Sequence, residues 1–244
     1  MIIRLSETDS TNAQLRRMLA DTPDLPHGTT VAADFQTAGR GQRGALWKSR
    51  RGENLMFSIL LRPTQIAAAR SFTLSQLVAL ATVEALDGYV PDLRIKWPND
   101  IYYRDRKLAG TLIENDIRGA ELSASIAGIG INVNQTDFSA ALPNPVSLAQ
   151  IVNAPLDRDS LLENLVSRIA DATARHTPND DDAVAARYRS RLYRNEGFHP
   201  YYDVRAQETI LAAMVRVEPT GTLVLRTTAG DERAYTLKEL KYLP

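Results

Sequence analysis

The chain contains no cysteine in its 244 residues. Disulfides, thiolate metal sites and cysteine nucleophiles are thereby excluded, and the expected compartment is a reducing cytoplasm. Histidine is scarce, and His27, His176 and His199 are scattered, so no all-protein transition-metal site is expected. No apolar run approaches the ~20 residues that span a bilayer. The opening Met1-Ile2-Ile3-Arg4-Leu5 lacks the apolar core and small-residue exit of a secretion signal. Net charge is also missing, because 29 Lys+Arg meet 29 Asp+Glu. The chain therefore has no global field for holding DNA or an anionic membrane, and neither is expected as a partner.

What is present is ordinary globular composition, 44 % apolar and 24 % charged. The length suffices for one large domain with a smaller one beside it. Short strands are expected at 2–5, 29–35, 54–61, 93–97 and 101–103, followed by a longer pair at 108–114 and 122–134 with 115–119 between them. A helix is expected over 12–20, capped by the short oxygen side chains of Asp9, Ser10, Thr11 and Asn12. The stripe Leu74, Leu77, Val78, Ala81, Ala85 predicts a helix over 71–86, closed by Gly88. A Ser160/Glu163 capping box opens another over 160–175. Past Gly197 only short alternating strands remain, with turns at Pro219-Thr220-Gly221 and Ala229-Gly230-Asp231. The expected fold is α+β: a mixed, largely antiparallel sheet with helices on one face over residues 1–195, then a small β-barrel over 196–244.

The loop that stands out is Gln36-Thr37-Ala38-Gly39-Arg40-Gly41-Gln42-Arg43-Gly44. Glycine lets a ligand approach the backbone N–H groups, and arginine offers a fixed fork of donors for carboxylate or phosphate. The run Gly39 to Gly44 matches G-x-G-x-x-G literally, but Ala45-Leu46-Trp47-Lys48 has no apolar stripe and leads towards a strand, so the dinucleotide reading fails on context. Alone, the loop reads rather as a mobile surface hairpin than as a site. Three further motifs are ambiguous in the same way. Lys96-Trp97-Pro98-Asn99-Asp100 suits core packing and an Asx turn as well as a site. Arg106-Lys107-Leu108-Ala109-Gly110 places a lysine at a strand foot, commonly a solvated position. Gly128-Ile129-Gly130-Ile131-Asn132 puts glycines inside a strand, where they mark close approach of a ligand or another backbone.

The order and combination of these motifs, together with Ser10-Thr11-Asn12 and Trp47, closely resemble the biotin protein ligases over roughly residues 8–135. The C-terminal strands are similar to that family's SH3-like cap. The resemblance implies a class II synthetase-like catalytic domain and a monofunctional enzyme without the N-terminal DNA-binding domain of bifunctional members. It implies that biotin and ATP become biotinyl-5′-AMP with release of pyrophosphate. Biotin then passes to one lysine of a biotin carboxyl carrier protein. Carried over residue by residue, biotin falls to Ser10, Thr11, Asn12, Gln36, Gly39, Arg40, Lys107, Gly110 and Gly128. The nucleotide falls to Arg40, Gly41, Gln42, Arg43, Trp47, Asn99, Lys107 and Asn132. Lys107, Arg40 and Asp100 are the expected catalytic residues, with Mg²⁺ on the triphosphate and Asp100 as metal ligand or proton acceptor. A monomer or a homodimer fits the family equally.

Two departures from the family are visible: Gln42 stands where many relatives carry arginine, and Ala45 where a basic or polar residue is frequent. Other readings are a lipoate ligase or octanoyl transferase, whose basic Gly-Gly segment has no counterpart here, and a non-enzymatic biotin sensor.

Overall fold

The computed structural model describes every residue except Ala45, and every side chain except those of Ala45 and Arg43. Among the described residues the first sheet has seven strands. These are β1 (Ile2–Leu5), β2 (Thr30–Ala33), β3 (Leu55–Leu61), β4 (Leu93–Lys96), β5 (Asp100–Tyr103), β6 (Arg106–Arg118) and β7 (Glu121–Ile131). Their order is β1-β2-β3-β7-β6-β5-β4. Only β1 and β2 run parallel; each other neighbouring pair is antiparallel. β6 and β7 run further than expected, through Asn115 to Arg118, and turn at Gly119 with φ +63°. Polar residues there read as a loop, yet the ladder continues past them.

The helices are α1 (Thr11–Asp21), α2 (Phe72–Leu86), α3 (Leu148–Val152), α4 (Arg158–Arg175) and α5 (Asp181–Ser190). β3 is buried along its whole length because both faces of the sheet are covered. Phe57, Ile59 and Leu61 pack with Leu74 and Val78 of α2 and with Leu165 and Ile169 of α4. Leu60 faces the other way, into a separate cluster with Leu15 of α1, Leu25, Val31 and Ile126. The expectation of helices on one face thus holds for α2 and α4, while α1 covers the opposite face. α2 is buried nearly all round rather than along one stripe, because α4 and α5 pack against it as well as the sheet. Gly88 is not its left-handed cap; Asp87 ends the helix in right-handed geometry. α4 is capped by Asp157, whose carboxylate accepts from the Asp159 N–H at 3.0 Å and the Ser160 hydroxyl at 2.6 Å, so Ser160 is already inside the first turn.

The second sheet comprises β8 (His199–Asp203), β9 (Glu208–Val217), β10 (Leu223–Thr227), β11 (Glu232–Tyr235) and β12 (Leu240–Tyr242), in the order β11-β10-β9-β8-β12. It is antiparallel throughout. Its inner residues Tyr201, Leu223 and Tyr235 belong to the same continuous core as α2. Polar ties reinforce that contact. The Trp97 indole donates to the Gly221 carbonyl at 3.0 Å. The Lys96 ammonium lies 4.8 Å from the Tyr102 ring centre and 4.7 Å from that of Tyr242, on β12. Burial lowers the Lys96 pKa and pushes the Tyr102 phenol up to about 12.

Tyr188 of α5 is fully buried and donates its hydroxyl to the Pro98 carbonyl at 2.6 Å, fixing the turn between β4 and β5. Tyr188→Phe leaves that carbonyl unmet and is expected to cost about 1–3 kcal/mol. Urea denaturation checks this: the midpoint should fall with the slope unchanged.

Candidate active site

On the α1 face of the sheet lies a cavity of about 200 Å³. Its floor is β6 and β7, its wall is the start of α1, and Gln36, Arg40, Gly41, Gln42, Leu46 and Trp47 line it from the loop. Of the residues picked out in the sequence, Ser10, Thr11, Asn12 and Gln36 line it on one side, Arg40, Gly41, Gln42 and Trp47 on the loop side, and Asp100, Lys107, Gly110 and Gly128 along the floor. Gly39, Asn99 and Asn132 are not on its wall, and the Arg43 side chain and all of Ala45 fall outside the described residues.

The start of α1 is held in a way that leaves its polar side chains to the cavity. Ser10 occupies the N-cap position but its side chain caps nothing. Instead the Gln36 carbonyl oxygen accepts from the Thr11 N–H at 2.7 Å and from the Thr11 hydroxyl at 3.1 Å. Asp9 accepts from the Ser10 N–H at 2.8 Å, and its ion pair with Arg17 holds its carboxyl well below the usual range. Ser58, fully buried in β3, places its hydroxyl 2.7 Å from Thr11 Oγ1 and 2.5 Å from Asn12 Oδ1. Ser58 was not anticipated; a single hydroxyl in the apolar run Leu55-Met56-Phe57-Ser58-Ile59-Leu60-Leu61 is the signal that marks it.

The strand glycines admit side chains of the chain itself. A Cβ on Gly128 would sit 2.1 Å from Asn12 Oδ1, and one on Gly130 would sit 2.4 Å from the Trp47 ring. The close approach foreseen for a ligand is taken by these two residues, which then form part of the cavity surface. The loop is folded back on itself: the Trp47 N–H donates to the Gly39 carbonyl at 3.0 Å, and Arg40 bridges to Leu46. Gly39 is required there, since a Cβ would meet the Trp47 carbonyl at 2.6 Å. Gln42 pins the loop to the sheet by donating to Asn99 Oδ1 at 2.8 Å and to the Thr111 carbonyl at 3.1 Å. The Trp47 indole N–H is buried with no acceptor among the described residues.

Lys107 reaches the cavity through a local irregularity. Ile101 pairs with Ala109, but Tyr102 pairs with Lys107, so Leu108 is left unopposed. This bulge turns Lys107 to the face opposite Ala109, which packs in the core with Ile101. Lys107 Nζ lies 2.6 Å from Asp100 Oδ2, with the two side chains 34 % and 30 % exposed. Gly110 leaves room for the pair, since a Cβ would come within 3.2 Å of both. One Asp100 oxygen accepts from the lysine, and no group of three His, Cys, Asp or Glu side chains gathers among the described residues. Asn132 is likewise engaged elsewhere. Its amide donates to the carbonyls of Val146 at 3.0 Å and Lys107 at 3.4 Å, so it braces the strand that carries the lysine.

Residues 5–132 match the biotin/lipoate A/B protein ligase family. The chain belongs to that family. It is 36 % identical to the biotin–[acetyl-CoA-carboxylase] ligase of Paracoccus denitrificans over 68 % of this chain and 70 % of that protein. It is 30 % identical to the bifunctional ligase/repressor BirA of Bacillus subtilis over 95 % of this chain and 70 % of that one. The solved biotin protein ligase of Aquifex aeolicus in complex with biotin and ATP superposes with a TM-score of 0.78, at 27 % identity and 99 % coverage of both chains. For this member of the family, the cavity combines two cations, Arg40 and Lys107, with a wall of hydroxyl and amide groups: a surface for an anion attached to a neutral polar body.

The seating of Trp47 against Gly130 is directly testable. The chain has two tryptophans, so 5-fluorotryptophan labelling should give two fluorine resonances. Gly130→Ala is expected to shift the Trp47 resonance and leave that of Trp97 in place.

Proposed function

We propose that this chain is a biotin protein ligase, which joins biotin to ATP as biotinyl-5′-AMP and then transfers biotin to a lysine of a biotin carboxyl carrier protein. The observation that carries the reading is the convergence of Arg40 and Lys107 on one cavity whose far wall is Ser10, Thr11, Asn12 and Gln36. The named relatives and the biotin- and ATP-bound neighbour agree with it.

The physics of the first step explains why two cations are needed. A carboxylate must approach the α-phosphate, and the two anions repel until the site supplies positive charge as it builds on the phosphorus oxygens. In this reading Lys107 bridges carboxylate and α-phosphate, while Arg40 and the loop N–H groups hold the phosphate side and keep water out. Biotin's ureido ring is neutral, and burying it with unmet donors and acceptors would cost about 1–3 kcal/mol. The hydroxyls of Ser10 and Thr11 and the amides of Asn12 and Gln36 supply partners. Magnesium would supply further positive charge at the triphosphate, and Asp100 is the carboxylate of the cavity lining that could hold it. In the second step the acceptor lysine must lose a proton to attack, and Asp100 is placed to receive it, next to Lys107. Residues 1–195 are read as the catalytic unit and 196–244 as a small β domain buttressing the Trp97 turn.

Pyrophosphate exchange with ATP, Mg²⁺ and labelled biotin, with and without a carrier domain, tests the reading. Exchange driven by lipoate or octanoate but not biotin would transfer it to the other branch of the family. Lys107→Ala should lower biotin-dependent exchange on the order of 10²-fold. Gln42 lines the cavity as a neutral amide, so Gln42→Arg, which adds a cation there, should slow dissociation of the adenylate. Release measured by rapid filtration at an unchanged rate would reject that expectation.

A further inference from the structure

Each cation at the cavity has its own carboxylate. Lys107 is paired with Asp100, and Arg40 Nη2 lies 3.4 Å from Glu114 Oε1. Glu114 stands on the same face of β6 as Gly110 and Leu112, four and two residues away along the alternation. It does not line the cavity but lies behind Arg40 and Asn12, which do. Its second oxygen accepts from Asn12 Nδ2 at 3.2 Å. Asn12 in turn offers Oδ1 to the buried Ser58 hydroxyl at 2.5 Å. The carboxylate is thus anchored from the rigid start of α1 and the middle of the sheet, and its free charge points at the loop.

We infer that Glu114 is a positioning residue: anchored by Asn12, it aims the Arg40 guanidinium at the phosphate side of the cavity. This rests on the ligase reading given above. Arginine has five N–H donors in a fixed fork. The ion pair draws one Nη towards Glu114, with the two side chains 49 % and 31 % exposed, and biases the guanidinium towards one orientation while the other N–H groups are left to a ligand. A neutral amide at 114 would keep an acceptor for Asn12 but lose the charge that orients the arginine.

The test is a double-mutant cycle on biotin-dependent pyrophosphate exchange, using Glu114→Gln, Arg40→Ala and the pair together. Glu114→Gln alone should lower kcat/KM for ATP roughly tenfold, and Glu114→Asp, which keeps the charge, should recover part of that loss. In the Arg40→Ala background, Glu114→Gln should cost nothing more. Losses that multiply would show that Glu114 does not act through Arg40 and would overturn the inference, as would a Glu114→Gln enzyme with unchanged kcat/KM. Wild-type protein with no biotin-dependent exchange would instead remove the ligase reading and this inference with it.

Discussion

The register of β7 between β3 and β6 is the constraint on which the site depends. Gly128 pairs with Ser58 on one side and Leu112 on the other, and Gly130 pairs with Met56 and Gly110. Gly128, Gly130, Gly110 and Leu112 of those rows line the cavity. Successive residues alternate between faces, so a slip of one residue would put Ile129 under Asn12 and turn the glycines into the core. Ile129 and Ile131 are buried in the α2 core, which makes the slip costly in both directions. The apolar half of β7 therefore holds in place the empty half, where Asn12 and Trp47 fit.

The second requirement is a lysine on the correct face, and regular alternation would not supply it. Counting back from Ala109, which faces the α2 core, Lys107 should point into the same core. The unopposed Leu108 shifts the count by one, so that Leu108 and Ala109 are both buried and Lys107 emerges beside Asp100. The bulge needs no unusual residue, only a hairpin whose two arms differ by one. It also makes the segment sensitive to insertion or deletion: the side chains would survive such a change, but the cation would face the core.

These points explain which features could be read from residues alone. Strands β1 and β3, helix α2 and the C-terminal strands follow from apolar pattern and turn chemistry, which are local. The motif order resembled a family because residues far apart in sequence share one cavity, and the resemblance brought Arg40 and Lys107 together before any geometry was known. What pattern could not convey was set by tertiary pairing. The Gln36 amide replaces a side-chain cap at α1. Asp157 rather than Ser160 starts α4, because the loop from α3 arrives three residues earlier. Ser58 and Glu114 lie within strands where period-two reading assigns them only to a face, and neither the bulge at Leu108 nor the position of α1 opposite α2 leaves a trace in composition.

The pairing of each cation with a carboxylate also accounts for a neutral chain having a site for anions. An Arg40–Glu114 or Lys107–Asp100 pair has little field at a distance, and salt screens what remains beyond about 10 Å. At short range the pairs are directional: Arg40 and Lys107 line the cavity, each with a carboxylate beside it and N–H groups left over. In the proposed function an anion gains from such a site only once it is seated, with its neutral part against Thr11, Asn12 and Gln36. Long-range attraction would draw any phosphate, whereas paired cations favour the ligand whose shape brings its charge to the open donors. On the proposed function, the pocket's selectivity resides in the distance between its polar wall and its two cations, set by how α1, β6 and β7 are held together.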